Sequence, residues 1–271
     1  MDVFYIFFKY LIQTIRELAL RVSGDSSFTK KYGRLFNLAT SNFQEEMMCV
    51  LFQFFDPMHH CFTFPDYQLV SILEDFSQFL GVLVLDQIPF ADLEETPKPE
   101  VIVEALHLKR SDIITNWETR SGVKGFLAKF LLEKARLFWE NVDFQAFEDV
   151  LALIIYDLVL FPNPDQLIDV NSIKVFLSRN PVPTLLGDIL HCFHTRTMKK
   201  RGTLLCCIPL LSRWFIAHLP RSTLKNEQGL TWSQRMMSLA HSDISLVFLI
   251  LGGHYYHRPL WGIPYCPSAW H

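Results

Sequence analysis

The sequence predicts a mainly α-helical fold, a multi-helix orthogonal bundle with a small two-strand β element near residues 62–85. Many segments repeat apolar residues at helical spacing, whereas only two short runs have the pattern of extended chain. Half of the 271 residues are apolar and 14% are aromatic, which is ample for a large buried core. The chain has only 11 Gly and 14 Pro, so it is neither low-complexity nor fibrous.

The β element flanks one helix. Its two strands are predicted at residues 62–64 and 82–85. Between them, Ser71 and Glu74 have the S-x-x-E spacing of a capping box. Gly81 stands where a helix often ends in the left-handed conformation. The apolar stripe of this helix consists of Ile72, Leu73, Phe76, Phe79 and Leu80.

The segments on either side are also helical in pattern. Residues 1–29 predict an N-terminal amphipathic helix rather than a secretion signal, because Lys9 cuts the apolar run and no basic start precedes it. Residues 86–100 are acidic and contain prolines, which predicts a long loop. Residues 122–141 predict an amphipathic helix, and the strongly apolar residues 143–161 predict a central one.

Four further helices are predicted at residues 171–179, 184–200, 204–219 and 231–241. Pro209 either kinks the third of these or marks its first turn. Residues 30–243 are expected to form one helical domain that is incomplete at its C-terminus, and residues 244–271 a divergent tail.

The overall composition excludes several classes of protein. The net charge of −3 and the pI of about 6.4 show no global basic excess of the kind that marks nucleic-acid binders. The six cysteines are irregularly spaced in a long chain, which favours reduced, buried thiols in an intracellular protein. No segment reaches the roughly 18 uncharged apolar residues that a membrane span needs.

Histidine, cysteine and acidic residues are the candidates for site chemistry. Metal-ligand types cluster at His59-His60-Cys61, at His191-Cys192-x-His194 and at Cys206-Cys207, but paired spacing such as C-x2-C is absent. Four acids suit a magnesium-dependent nuclease, although their spacing singles out no set: Asp75, Asp149, Asp157 and Asp188. No G-x-S-x-G and no phosphate-binding glycine loop occurs. We therefore predict no catalytic residue, no metal ligand and no cofactor, and hence not an enzyme.

A basic segment offers a different hypothesis. Residues 189–226 contain no acid, and their cations at 196–225 suit contacts with a nucleic-acid backbone or a nuclear import signal. The alternative is a solvated helix end whose cations offset the helix dipole. The candidate nucleic-acid contacts are Arg196, Lys199, Lys200, Arg201 and Arg213.

The stretch around the β element resembles the plant mobile domain, also called the aminotransferase-like plant mobile domain. That family has a T-F-x-x-P entry followed by L-E-D-[VF]-x-x-L-L-G-[VL]-P-V. Here Thr63-Phe64-Pro65 and residues 73–84, LEDFSQFLGVLV, resemble this pattern. The chain departs from it because Pro65 directly follows Phe64, Phe79 replaces the first paired leucine and Leu83 replaces the usual proline. Despite the label, no pyridoxal-binding lysine context is present, so the resemblance implies no aminotransferase activity.

The likeness is greater to an uncharacterised, legume-rich, transposon-derived branch of that group, similar to DUF7745. The shared motifs, within about residues 30–243, are FPNPD at 161–165, NPVPTLLGD at 180–188, TMKKRGT at 197–203, CCIPLLSRWF at 206–215 and WSQR from Trp232. The resemblance implies a nuclear protein derived from a mobile element.

The resulting prediction is a transposon-derived plant protein that acts as a non-enzymatic protein-interaction module with an unidentified protein partner. The first alternative is a nucleic-acid-binding protein that uses residues 196–225. The second is a relic of a metal-dependent, transposase-associated enzyme, which needs three carboxylates converging in one pocket.

Overall fold

A computed structural model gives the structure of the chain. It describes residues 13–18, 20, 26–41, 43–82, 96–120, 122–163, 167–199, 204–225, 229–245, 250–251 and 254–255. Within these ranges the fold is mainly α, which confirms the predicted class.

The first half of the chain contains six labelled helices and five strands. They are α1 Ser26–Tyr32, α2 Leu35–Ala39, α3 Glu45–Gln53, β1 Phe55–Asp56, β2 Cys61–Thr63, β3 Gln68–Leu69, α4 Leu73–Leu80, α5 Pro99–Leu106, α6 Arg110–Asn116, β4 Trp117–Arg120 and β5 Val123–Leu127. Residues 13–18 are helical as well.

The second half is built mostly of longer helices. Its helices are α7 Ala128–Glu140, α8 Phe144–Ile155 with a π-helical extension Tyr156–Leu160, α9 Val170–Ser178, α10 Val182–Lys199, α11 Ile208–His218, α12 Arg221–Lys225 and α13 Trp232–Met237. Its other elements are the strands β6 Leu167–Asp169, β7 Ile250–Leu251 and β8 His254–Tyr255 and a 3-10 turn, His241–Asp243. Pro209 lies in the first turn of α11, where its missing N–H has no helical partner to lose, so it begins the helix rather than kinking it.

Helix α8 is the centre of the molecule. Every residue from Ala146 to Leu160 is buried, so the helix and its extension offer water almost no face. Helices α2, α5, α7 and α9 pack around it. Asp143 begins the helix, because its carboxylate accepts a hydrogen bond from the Ala146 N–H at 3.2 Å. The predicted central helix is confirmed.

A second helical layer is assembled around α4, which packs against α10 and α11. The indole of Trp214 in α11 donates a hydrogen bond to Asp75 in α4 at 3.0 Å. Burial raises the pKa of the Asp75 carboxyl, and this indole N–H opposes the rise. Helix α2 contacts α8 on one side and α11 on the other, and so joins the two layers.

The ends of α4 test the predicted capping signals. Gly81 does end the helix in the left-handed conformation, with φ 66°. The capping-box prediction is wrong: the carboxylate of Asp75, not of Glu74, accepts from the Ile72 N–H at 3.4 Å. The Ser71 hydroxyl is buried and has no hydrogen-bond partner among the described residues.

The β structure differs in place from the prediction. Strands β1, β2 and β3 form one antiparallel sheet in that order, so the extended run at residues 62–64 pairs with its immediate neighbours. Of the second predicted strand, Val82 is irregular and residues 83–85 lie outside the described part of the chain. Most of the loop predicted at residues 86–100 lies outside it as well.

A second antiparallel sheet, with the order β4-β5-β6, was not predicted. It takes residues 123–127 out of the helix predicted over 122–141, which therefore begins only at Ala128. Gly125 allows the close pairing with β6, since a Cβ there would lie 2.0 Å from the Ile168 carbonyl oxygen.

The remaining predictions on organisation concern the termini. In the first 29 residues, Ile15 and Leu18 are buried and Leu20 is exposed, and most of the segment is not described. Of the tail predicted at 244–271, only residues 244–245, 250–251 and 254–255 are described. None of the described helices has both the length and the apolar run needed to cross a bilayer.

Candidate functional site

Asp149, on the central helix α8, binds three side chains from two other segments. It is only 4% exposed. Its Oδ1 accepts hydrogen bonds from Lys31 Nζ at 2.5 Å and from the Tyr32 hydroxyl, and its Oδ2 lies 3.0 Å from His107 Nε2. Lys31 and Tyr32 end α1, and His107 follows α5. One buried carboxylate therefore fixes the ends of two outer helices against the core.

The partners of Asp149 are themselves constrained. His107 has a left-handed backbone, with φ 54°, which costs a non-glycine residue about 1–2 kcal/mol. Its contact with Asp149 offsets that cost. Burial, followed by the hydrogen bond to Asp149, raises the pKa of Tyr32 well above its ordinary value. Tyr32 therefore stays protonated and remains a donor.

A tight turn joins α7 to α8. The Val142 N–H donates to the Trp139 carbonyl at 3.1 Å, and the Asp143 N–H donates to the Phe138 carbonyl at 2.9 Å. This pair of bonds is the Schellman motif, whose left-handed position is usually a glycine. Here the position is occupied by Val142 with φ 61°. A β-branched residue is a genuine outlier in that conformation.

The same turn exposes apolar side chains. We define the hairpin tip as Leu137, Trp139, Val142 and Phe144. Leu137 and Phe144 are each about half exposed, at 49% and 48%, and Val142 is 67% exposed. The Trp139 ring lies between Phe144, with centroids 5.3 Å apart, and the buried Phe147, at 5.2 Å. The tip is thus an apolar surface supported by core aromatic rings.

A shallow, open cleft of about 380 Å³ lies beside the hairpin tip. Its lining residues are Ser27, Lys31, Phe144, Gln145 and Glu148. One wall comes from α1 and the other from the first turns of α8. Since Lys31 also binds Asp149, the Asp149 contacts hold the α1 wall in place.

The solvent side of α7 carries charges of alternating sign. We call this surface, formed by Lys129, Glu133, Arg136, Leu137 and Glu140, the α7 face; all five residues are exposed. The opposite side of the helix is buried, through residues 128, 131, 132 and 135. The only ion pair within the face that is recorded for the described residues joins Lys129 Nζ and Glu133 Oε1 at 3.8 Å.

The predicted nucleic-acid contacts occupy different positions. Arg196 and Lys199 lie near the C-terminal end of α10, where the Arg196 guanidinium stands 5.4 Å from the centroid of the Phe52 ring. Lys200 and Arg201 lie outside the described residues. Arg213 is on α11 and partly buried, and its Nη1 atom has no hydrogen-bond partner in the described part. Of the three candidates that the structure describes, only Arg196 and Lys199 share one element.

The four acids considered as magnesium ligands have separate surroundings. Asp75 accepts from Trp214, and Asp149 holds the contacts described above. Asp157 is fully buried and accepts from the Asp169 N–H at 2.8 Å and from Asn163. Burial raises the pKa of Asp157 to about 8 and that of Asp188 to about 6. Within the described ranges, no three His, Cys, Asp or Glu side chains are arranged to hold a metal ion.

The histidine and cysteine motifs meet only in part. The rings of His60 and His194 lie 5.7 Å apart, so two of the three motifs do approach each other. His194 Nδ1 contacts the Pro57 carbonyl at 3.2 Å. The five described cysteines are free thiols, and Cys61, Cys206 and Cys207 are buried as expected. Cys49 is exposed and Cys192 is partly buried, which corrects the expectation of buried thiols at these two positions. Cys266 is not described.

Sequence reasoning missed the hairpin tip and the partners of Asp149. The tip has a recognisable signal, because Asn141-Val142-Asp143 joins two helical patterns without the glycine that the turn favours. The partners of Asp149 had no such signal, since they lie 42 to 118 residues away along the chain.

Comparison with known proteins gives a family but no described activity. No curated protein matches the chain, and no solved structure matches it. A family model described as "Domain of unknown function (DUF7745)" matches residues 15–266, a range that includes the α7–α8 hairpin and the Asp149 contacts. The chain therefore belongs to the DUF7745 family.

Proposed function

We propose that this chain is a non-enzymatic protein-interaction module, and that its hairpin tip and α7 face pair with a second copy of the chain. The observation that carries the proposal is Val142. Its side chain is 67% exposed and its backbone is strained, so in the single chain it is unfavourable on both counts. His107 has the same backbone strain, but its ring contacts Asp149. Burial against a partner would give Val142 a comparable compensation.

The charges of the α7 face favour a second copy as that partner. In an antiparallel pair of α7 helices related by a twofold axis, Lys129 would lie opposite Glu140 of the other copy. Glu133 would lie opposite Arg136 in the same arrangement. A twofold interface requires such self-complementarity, because the same patch is used on both sides. Opposite charges at matching positions also fix the register of the pair.

The proposal extends to origin and location. The T-F-P and L-E-D-F motifs support a plant mobile domain derived from a transposable element. The same resemblance favours a protein that works inside the cell, in the nucleus. A docking role does not require a catalytic set.

Sedimentation velocity of the full chain tests the pairing. We expect the average sedimentation coefficient to rise with concentration. Arg136→Glu should weaken association roughly tenfold or more, since it removes two symmetric contacts and adds like-charge repulsion. Adding Glu133→Arg should restore it, because both sides of each contact are then exchanged.

The control is Arg221→Glu, the same charge change at an exposed position on α12. It should leave association unchanged. The pairing is refuted if the wild-type chain sediments as a monomer at every concentration. It is also refuted if the double variant associates as weakly as Arg136→Glu alone.

Nucleic-acid binding is the second candidate function. Its support is that Arg196 and Lys199 are three residues apart on α10 and form no ion pair with any described residue. Binding to a DNA duplex would weaken as salt rises. Replacing both residues with alanine should reduce the slope of log affinity against log salt by about 1–2. Lys124→Ala, an exposed lysine on β5, is the control; no binding, or binding independent of salt, would exclude this function.

A further inference from the structure

Two histidine rings meet where the turn between β1 and β2 lies against helix α10. The turn consists of residues 57–60, and His60 is its exposed last residue. His194 lies on α10 and is partly buried. The centroids of the two rings are 5.7 Å apart and their planes are inclined at 61°, so the arrangement is edge-to-face rather than stacked. Two imidazoles from separate sequence motifs thus come together at the surface.

A backbone contact fixes the proton of His194. The Nδ1 atom lies 3.2 Å from the Pro57 carbonyl oxygen. Because a carbonyl oxygen can only accept, Nδ1 carries the proton and donates it. In the neutral ring Nε2 then has no proton, and its lone pair is available. Metal-binding histidines have this arrangement, in which the other ring nitrogen donates to a carbonyl and orients the ligand.

Buried aromatic packing holds the turn against α10. The ring of Phe193, next to His194, is fully buried. Its centroid lies 5.2 Å from that of Phe55 in β1 and 5.6 Å from that of Phe62 in β2. Both strands that flank the turn are therefore fixed to the residue beside His194. Binding sites on such rigid elements are more precise than sites on loops.

The two other histidines of these motifs have hydrogen bonds of their own. His59 Nδ1 bonds with Asp56 Oδ2 at 2.7 Å, and the His59 backbone N–H donates to Oδ1 of the same carboxylate at 3.3 Å. His191 Nε2 lies 3.4 Å from the Thr195 hydroxyl. Among the described residues, the ring contact of His60 is with His194 alone. The nitrogens of the His60 ring are therefore available to a ligand.

We propose that His60 and His194 bind one zinc ion between them, which links the β1–β2 turn to α10. Zinc binds imidazole nitrogens at about 2.0–2.1 Å in tetrahedral geometry, and this places the centroids of two bound rings about 5.2 Å apart. The separation of 5.7 Å exceeds that value by about 0.5 Å. Rotation of the exposed His60 side chain closes this difference and directs one of its nitrogens at the ion.

The coordination of the ion is open. Within the described ranges, no third His, Cys, Asp or Glu side chain joins the pair. Water fills the remaining positions, so the ion exchanges more readily than one held by four protein ligands. Imidazole ligands suit zinc, whereas magnesium prefers oxygen ligands, so the site discriminates against magnesium. This inference does not depend on the proposed self-association.

Calorimetric titration of the full chain with zinc chloride at neutral pH tests the proposal. We expect one zinc ion per chain to depend on the pair, so His60→Ala and His194→Ala should each weaken that binding by more than about tenfold. The matched controls are His59→Ala, at the preceding turn residue, and His191→Ala, one helical turn earlier on α10. Both should bind this ion as wild type does, and magnesium chloride should give no binding.

Nitrogen NMR of the wild-type chain examines the same site without a variant. Long-range proton–nitrogen spectra distinguish Nδ1 from Nε2 in each histidine ring. Zinc should shift Nε2 of His194 and one ring nitrogen of His60, while Nδ1 of His194 keeps its proton. Zinc-dependent shifts confined to other histidines would overturn the proposal. Titrations in which His60→Ala and His194→Ala bind zinc exactly as wild type does would overturn it as well.

Discussion

Val142 provides the most direct test of how the α7–α8 turn is built. We compare Val142→Gly with Val142→Ala in urea-induced unfolding of the full chain. In a helix interior, alanine is more stabilising than glycine by about 1 kcal/mol. At Val142 we expect the opposite order, because the left-handed backbone suits glycine and strains alanine.

The expected change in the free energy of unfolding of Val142→Gly is the sum of three contributions. Relief of the left-handed strain contributes about 1–2 kcal/mol of stability in Val142→Gly. The greater freedom of glycine in the unfolded chain removes about 0.5–1 kcal/mol. About one third of the side chain is buried, so its loss removes about 0.5 kcal/mol in either variant. Val142→Gly should therefore be close to wild type, or up to about 1 kcal/mol more stable.

Val142→Ala retains the strain and loses the packing, so it should be about 0.5 kcal/mol less stable than wild type. The difference between the two variants is the decisive quantity, and Val142→Gly should be more stable than Val142→Ala by up to about 1.5 kcal/mol. A Val142→Ala variant that is more stable than Val142→Gly would refute the left-handed assignment. In sedimentation, both variants should associate more weakly than wild type, since both remove the exposed valine side chain.

Three further outcomes are expected. Gly125→Ala should prevent normal pairing of β5 with β6 and destabilise the folded protein by more than about 2 kcal/mol. Gly187→Ala, which adds a methyl group in open space on a helix, should stabilise the folded protein by about 0.5–1 kcal/mol. Thermal unfolding compares the two variants with wild type. Tyr32→Phe should lower the free energy of unfolding in urea by about 1.5–3 kcal/mol, because it removes a buried hydrogen bond to the Asp149 carboxylate. An unchanged free energy of unfolding would argue against that bond. Burial raises the pKa of Asp157 to about 8, so the folded state binds this proton more tightly than the unfolded state. Stability should therefore fall as the pH rises from about 4 to about 8, and Asp157→Asn should flatten that part of the curve; equal slopes in the two proteins would contradict it.

The features that the sequence could predict are those decided locally. Gly81 ends α4 because a left-handed residue is needed immediately after the helix, and glycine meets that need without contacts from elsewhere. The central helix could also be predicted from the sequence, since the apolar residues from Val150 to Ile155 leave no polar side. Both inferences depend on residues within a few turns of each other.

The features that were missed depend on distant parts of the chain. Residues 123–127 have an amphipathic pattern, but they become a strand because β6, about 40 residues later, supplies hydrogen bonds on one side. The capping error has a related cause. Ser71 and Glu74 have the right spacing for a capping box. The carboxylate of Asp75, however, accepts hydrogen bonds from both the Ile72 N–H and the Trp214 indole, so it caps the start of the helix instead.

The complete burial of α8 has a consequence for synthesis on the ribosome. This helix leaves the exit tunnel before α9 and α10 leave it. At about 5–20 residues per second, the roughly 40 residues from its end to the end of α10 take about 2–8 seconds to emerge. During that interval α7 covers one side of α8, and the side that packs against α9 in the folded protein remains exposed to water. The newly made chain therefore exposes an apolar helix to chaperones for a few seconds, and slowing translation while α9 and α10 emerge would lengthen that exposure.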